Sequence, residues 1–281
     1  MRGNSRRRLA TWLAIAVLLA AGALWSTVLE PNMLRTTEVT IANGKWPADR
    51  RPLTIAALAD PHVGSPYIDL GKLAEIVERT NALQPDLILL LGDYVNMSNR
   101  LGGFVPPAPI AGVLRKLSAP LGVFAVLGNQ DWMLGGQEVR AALERAGIIV
   151  LDNERTLVDT GEGPLWIAGI ADDRMRDPDV AGTLAGMPEG EPLIVIAHDP
   201  VIFRDVPTRA AVTLAGHIHG GQVHLPFIGA LVTLSRAPKR WAYGHVREGG
   251  RDLFVSGGIG TSILPIRFNM PPEIVLLRLG R

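Results

Sequence analysis

The 281-residue chain is 47% hydrophobic, carries a formal net charge of +1 and contains no cysteine. That length and apolar content suffice for one large core or two small ones, and the near-neutral charge offers no electrostatic footprint for nucleic acid. The missing cysteines exclude disulfides and thiolate ligands, leaving His, Asp and Asn as the donors for any metal.

At the N-terminus, Arg2, Arg6, Arg7 and Arg8 precede an uncharged apolar stretch from Leu9 to Leu29, closed by Glu30 and Pro31. Roughly 20 apolar residues span the hydrocarbon core of a bilayer, so residues 1–30 are expected to form a transmembrane signal-anchor or a signal segment. Ala21-Gly22-Ala23 provides small residues for a cleavage site, while the length favours retention as an anchor. Positive residues stay on the cytoplasmic side, which places the rest of the chain at the extracytoplasmic face of the inner membrane.

Residues 31–52, with Pro31, Pro47 and Pro52, read as a connector, and 53–281 as the main domain. Apolar runs then follow at 53–58, 87–91, 123–127, 193–197 and 212–215, each short enough for a buried strand. Leu70 to Leu83 repeats its apolar residues at helical spacing behind a capping Asp69; strand, helix, strand implies a parallel pair joined by a crossover. Gln137 to Ala146 is a second helix, ended by Gly147, and 148–151 and 165–170 are further strands. Beyond Val212, short strands are expected at 222–225, 231–234, 253–256 and 274–279, and irregular insertions at 96–109 and 172–192. The pattern describes an α/β sandwich of mixed sheets with loops gathered at one edge.

Nearly every apolar run ends in metal-binding residue types: Asp60-Pro-His62, Gly92-Asp93, Gly128-Asn129, His198-Asp199 and Gly216-His217-Ile218-His219. Asp60 and His62 stand at alternate positions, as do His217 and His219, and on a persisting strand each pair would face one side. A pair of divalent ions needs a carboxylate able to bridge, and Asp93, behind the flexible Gly92, is the natural candidate. Asn129 adds a neutral amide oxygen, which preserves positive charge for binding phosphate. Asp131 and Asp199 suit capping or hydrogen bonding to a ligating imidazole better than direct coordination. His224 is a candidate for the substrate cleft and Gly258, within 257–260, for a phosphate-cradling turn, although structural roles are the simpler expectation for both.

The ordered set resembles the calcineurin-like metallophosphoesterase superfamily over about residues 53–280. The resemblance implies a sandwich of two mixed β-sheets flanked by helices, and two divalent ions of manganese, zinc or iron. One ion would be held by Asp60, His62, Asp93 and His219, the other by Asp93, Asn129, His198 and His217. The tail Gly257-Gly258-Ile259-Gly260-Thr261-Ser262 with Leu264 to Phe268 looks like the membrane-anchored or exported bacterial branch, implying hydrolysis of a phosphodiester or pyrophosphate bond. A lipid-linked or nucleotide-sugar envelope substrate, as for UDP-2,3-diacylglucosamine hydrolase, is implied by the same analogy.

The family pattern places histidine after Gly-Asn, where this chain has Gln130. With Asp93 and Asn129, Gln130 completes the candidate catalytic set, but an amide donates a hydrogen bond and no proton near neutral pH. General acid catalysis is worth ~10²- to 10⁴-fold, so poor leaving groups should suffer most. Two other readings remain open at this level: a weakened metal-dependent binding protein, and a phosphomonoesterase or phosphoprotein phosphatase. The first is marked by Gln130; the second is disfavoured by the missing acid and by the location.

Overall fold

The apolar runs that follow residue 52 fold as strands stacked into two sheets, in a computed structural model that describes residues 2–99 and 101–281. In chain order the elements are α1 (Arg2–Leu24), β1 (Arg35–Ala42), β2 (Leu53–Leu58), α2 (Leu70–Ala82), β3 (Leu87–Leu90), α3 (Pro107–Leu114), β4 (Val123–Ala125), α4 (Asn129–Arg145) and β5 (Ile149–Val150). Then come β6 (Glu154–Asp159), β7 (Pro164–Ile170), α5 (Val180–Leu184), β8 (Leu193–Ala197), β9 (Val212–Ala215), β10 (His224–Leu225), β11 (Gly229–Ala230), β12 (Gly244–Glu248), β13 (Arg251–Val255) and β14 (Glu273–Gly280).

Among the described residues the first sheet runs β1-β14-β2-β3-β4-β5 and the second β12-β13-β9-β8-β7-β6. Strands β2 to β5 are mutually parallel, and so are β7, β8, β9 and β13; the antiparallel pairs β14–β2, β6–β7 and β12–β13 make both sheets mixed. Because β2, β3, β4, β8 and β9 are buried on both faces, their sequences are continuous apolar runs with no alternation. Ile55, Leu89, Ile194 and Leu214 help to fill the layer between the sheets. Leu73, Ile76, Ile110 and Leu143 pack helices α2, α3 and α4 on the outer face of the first sheet. Phe203 and Trp241, with ring centres 5.1 Å apart, help to cover the outer face of the second.

Helix α2 matches its expected span: Asp69 caps it by accepting from Lys72 N–H at 2.7 Å, and Leu73, Ile76, Val77 and Thr80 form its buried face. Elsewhere tertiary pairing changes the reading. Residues 31–52, expected to be a connector, contain β1, whose eight residues pair in parallel with β14 from Arg35↔Glu273 to Ala42↔Gly280. Residues 231–234, expected as a strand, form none; the short hairpin β10–β11 ends just before them, at Ala230. Helix α4 begins eight residues before Gln137, at Asn129, and breaks at Gly135, whose φ of 137° interrupts the periodicity that would reveal its first half. The expected insertions at 96–109 and 172–192 hold the start of α3 and all of α5.

Helix α1 continues through Trp25–Leu29 and Glu30–Asn32, and Arg7–Asn32 is long and apolar enough to cross a membrane. Its base is tied to the domain. Arg267 N–H donates to Ser26 O at 2.9 Å, Tyr67 O–H donates to Thr27 O, and Met270 N–H donates to the Glu30 carboxylate.

Candidate dinuclear metal centre

Parallel strands expose their carboxyl ends at a common edge, where ligands of α/β sheets usually bind. Here β2 delivers Asp60 and His62, β3 Asp93, β4 Asn129, β8 His198 and β9 His217 and His219. Backbone bonds join the two sheets at that edge, Ile259 and Gly260 N–H donating to Ala59 O and Asp60 O, while Gly216 N–H donates to His198 O within the second sheet.

Strand alternation, however, does not aim the paired ligands. β2 ends at Leu58 and β9 at Ala215, and Asp60, His62, Asp93, His217 and His219 all adopt left-handed backbone, with φ between 43° and 67°. Asp and His tolerate this region better than most residues, but each such residue is strained by about 1–3 kcal/mol and persists only where its surroundings over-determine it. Two glycines make room for these turns. Gly92 has φ 93°, and a Cβ there would lie 2.6 Å from Gly128 N; a Cβ on Gly128 would lie 2.2 Å from Asp93 Oδ1.

Two buried groups result. Asp60, His62 and His219 form one and Asp93, His198 and His217 the other, each with donor atoms within 4.8 Å of one another. In the first, His62 Nε2 and His219 Nε2 are 3.0 Å apart. In the second, His198 Nε2 stands 3.0 Å from His217 Nδ1, 3.2 Å from Asn129 Oδ1 and 3.5 Å from Asp93 Oδ2. Asp93 Oδ2 is also 3.8 Å from His62 Nε2, so this one oxygen lies between the groups. Asp93 is the residue expected to bridge.

The surroundings prepare the imidazoles as donors. His198 Nδ1 lies 2.8 Å from Leu91 O and donates there, which fixes the ring with Nε2 turned toward the group. His217 turns Nε2 outward, 3.5 Å from Asp199 Oδ2 and 3.2 Å from Arg174 Nη1. Asp199 also caps the following turn through Val201 N–H and accepts from Ser235 Oγ. Asp131 acts on the backbone instead of an imidazole: Oδ2 accepts from Asp93 and Gly128 N–H, at 2.8 and 2.9 Å, and Oδ1 from Tyr94 and Val95 N–H, at 2.9 and 3.3 Å.

Burial pushes His62 down to about 4 and His219 well below its ordinary range, so both present neutral, ligating nitrogens. Burial pushes Asp60 up, to about 7. Burial opposes both charges of Asp93 and His198, yet their mutual attraction and hydrogen bond, together with the other charged groups around them, hold the carboxyl low and the imidazole high. Bringing two carboxylates and four imidazoles together in a buried space is costly unless a cation compensates. The donor set, oxygen and imidazole nitrogen without sulfur, suits borderline divalent ions such as manganese, zinc or iron. His219 Nδ1 has no hydrogen-bond partner among the described residues, which fits an imidazole placed for coordination and not for packing.

The remaining expected residues are more peripheral. Gln130 is buried at the cavity edge, its Oε1 accepting from Met97 N–H at 2.7 Å and its Nε2 donating to Ser98 Oγ at 3.0 Å. His224 lies on β10, Nδ1 3.2 Å from Gly220 O, outside the cavity lining. Gly258 backs the first group, where a Cβ would stand 3.0 Å from Asp60 Oδ2.

A cavity of about 770 Å3 opens over the centre, with Asp93, Asn129, His217 and His219 at its floor and Arg174 on one side. Its walls are largely aliphatic, including Met133, Val223, Leu231, Leu234, Ile263 and Ile266. Arg174 and its neighbour Asp172 escaped the sequence reading. Burial pushes Asp172 up to about 6, and its Oδ1 has no partner among the described residues. Both follow the apolar strand β7, the same signal that singled out the candidate ligands.

Residues 53–221 match a family model described as calcineurin-like phosphoesterase. The chain is 31% identical to the metallophosphoesterase YkuE of Bacillus subtilis (strain 168) over 271 residues, covering 93% of each protein. It is also 31% identical to phosphodiesterase YaeI of Escherichia coli (strain K12) over 297 residues, covering 98% of this chain and 99% of that one.

Proposed function

Because this chain belongs to the calcineurin-like phosphoesterase family and is a hydrolase of phosphoester bonds, we propose that it cleaves a phosphodiester or pyrophosphate with two divalent ions at this centre. The observation that carries the proposal is Asp93 Oδ2, within 3.8 Å of His62 Nε2 and 3.5 Å of His198 Nε2. Asp60, His62, Asp93 and His219 would hold one ion, and Asp93, Asn129, His198 and His217 the other. When bound, such ions polarise the phosphoryl oxygens and acidify a water molecule. The chain's own residues do the rest. Arg174, 3.2 Å from His217 Nε2, brings a fixed cation toward the anionic substrate, and Asp199 orients His217 from behind.

The aliphatic walls and the apolar α1 favour a lipid-linked substrate, with α1 retained as an inner-membrane anchor and the catalytic domain, β1 included, on the extracytoplasmic side. Turnover of bis-(p-nitrophenyl) phosphate by the purified protein tests the core of this reading: activity should vanish after chelation and return with added manganese. Metal retention without turnover of any phosphoester would identify a binding protein instead.

Gln130 sharpens the choice of substrate. Its amide has no proton to give and is tied to Met97 and Ser98, so the leaving group must depart as a weak base. Aryl diesters and pyrophosphates should be cleaved far faster than alkyl esters, and Gln130→His should narrow the ratio by ~10-fold or more. Equal alkyl and aryl rates in the unmodified protein would contradict this account.

A further inference from the structure

The mouth of the cavity is continuous with the base of α1. Loop 226–234 and segment 263–267 both border it, and both reach the helix. Pro226 lines a crevice with Trp25, and Arg267 N–H holds Ser26 O at 2.9 Å. At the tips of these segments Phe227 is fully exposed, Ile228 is 70% exposed, Val232 62% and Leu264 54%. Apolar side chains clustered and exposed in this way mark an interaction surface.

Helix geometry indicates the partner. Starting at Leu9, just after the arginines, a hydrocarbon core of ~30 Å takes about 20 residues at 1.5 Å each. That count ends near Val28, between the Ser26–Thr27 carbonyls held by Arg267 and Tyr67 and the Glu30 carboxylate that receives Met270 N–H. Where α1 leaves the bilayer, it is therefore already fastened to the segment bearing Leu264 and lies beside the loop bearing Phe227.

We propose that Phe227, Ile228, Val232 and Leu264 are seated in the interfacial layer of the membrane that α1 crosses. The cavity mouth then opens along the bilayer, and a phosphoester with an apolar tail would enter sideways, its tail against the aliphatic walls and its phosphoryl group toward the metal centre. The seating rests on α1 being kept as an anchor; the route of entry rests also on the phosphoesterase reading above.

Because the chain has no cysteine, single labels report it directly. Full-length Ile228→Cys and Leu264→Cys, with Glu189→Cys as a control just before β8 at the opposite sheet edge, would carry an environment-sensitive fluorophore. In vesicles of phosphatidylethanolamine and phosphatidylglycerol containing a spin-labelled lipid, quenching should be several-fold stronger at positions 228 and 264 than at 189. Equal quenching at all three overturns the proposal. So does blue-shifted emission that depends on protein density and is insensitive to the lipid quencher, which would place a second copy of the chain on this surface. Neither readout requires turnover, so failure of the seating and failure of the catalytic reading are separable.

Discussion

Asp93→Ala is expected to reduce phosphodiester turnover on the order of 10³-fold, with metal content falling in parallel. Asp93 Oδ2 lies between both donor groups, and its Oδ1 accepts Gln130 N–H at 2.8 Å. Losing it removes the proposed shared ligand and the ionic partner of His198 together. Elemental analysis beside initial rates checks this. Full metal occupancy in the variant would refute the bridging role, and intact thermal unfolding would show that the loss is local.

Asp131→Ala should act on stability instead. Its carboxylate accepts from the N–H groups of Asp93, Tyr94, Val95 and Gly128, in a site where no water can replace it readily. A buried donor left without an acceptor costs ~1–3 kcal/mol, so a total of about 3 kcal/mol is expected if two of the four find other partners. For a domain of this size that lowers the melting temperature by roughly 6–12 °C. Metal affinity should fall as well, because the turns bearing Asp93 and Asn129 lose their common clamp. A melting temperature within a degree of the parent would show that other contacts hold these turns.

The contrast between the two aspartates shows what could be read beforehand. Asp93 stands directly after an apolar strand and a glycine, a local pattern with chemical meaning. Asp131 is two residues beyond Asn129, and three of its four acceptor contacts reach a segment 36 to 38 residues away. Its assignment to capping or to an imidazole was half right, since it caps α4 through Gly128 but touches no histidine ring. Arg174 and Asp172 lie in a segment expected to be an irregular insertion, although they leave β7 as the candidate ligands leave their strands. Strand β1 was hidden for a different reason. It lies at a sheet edge and mixes exposed with buried residues, and only β14, more than 200 residues away, provides its pairing.

By itself, the sequence determined the buried strands, the helix after Asp69, the apolar N-terminal segment and the seven side chains at the strand ends, because burial on both faces and strand-end chemistry are written in neighbouring residues. Only the tertiary structure decided how those side chains converge. The paired candidate ligands meet through left-handed turns, not strand alternation, and contacts from distant segments, Asp131 and Gly258 among them, support those turns.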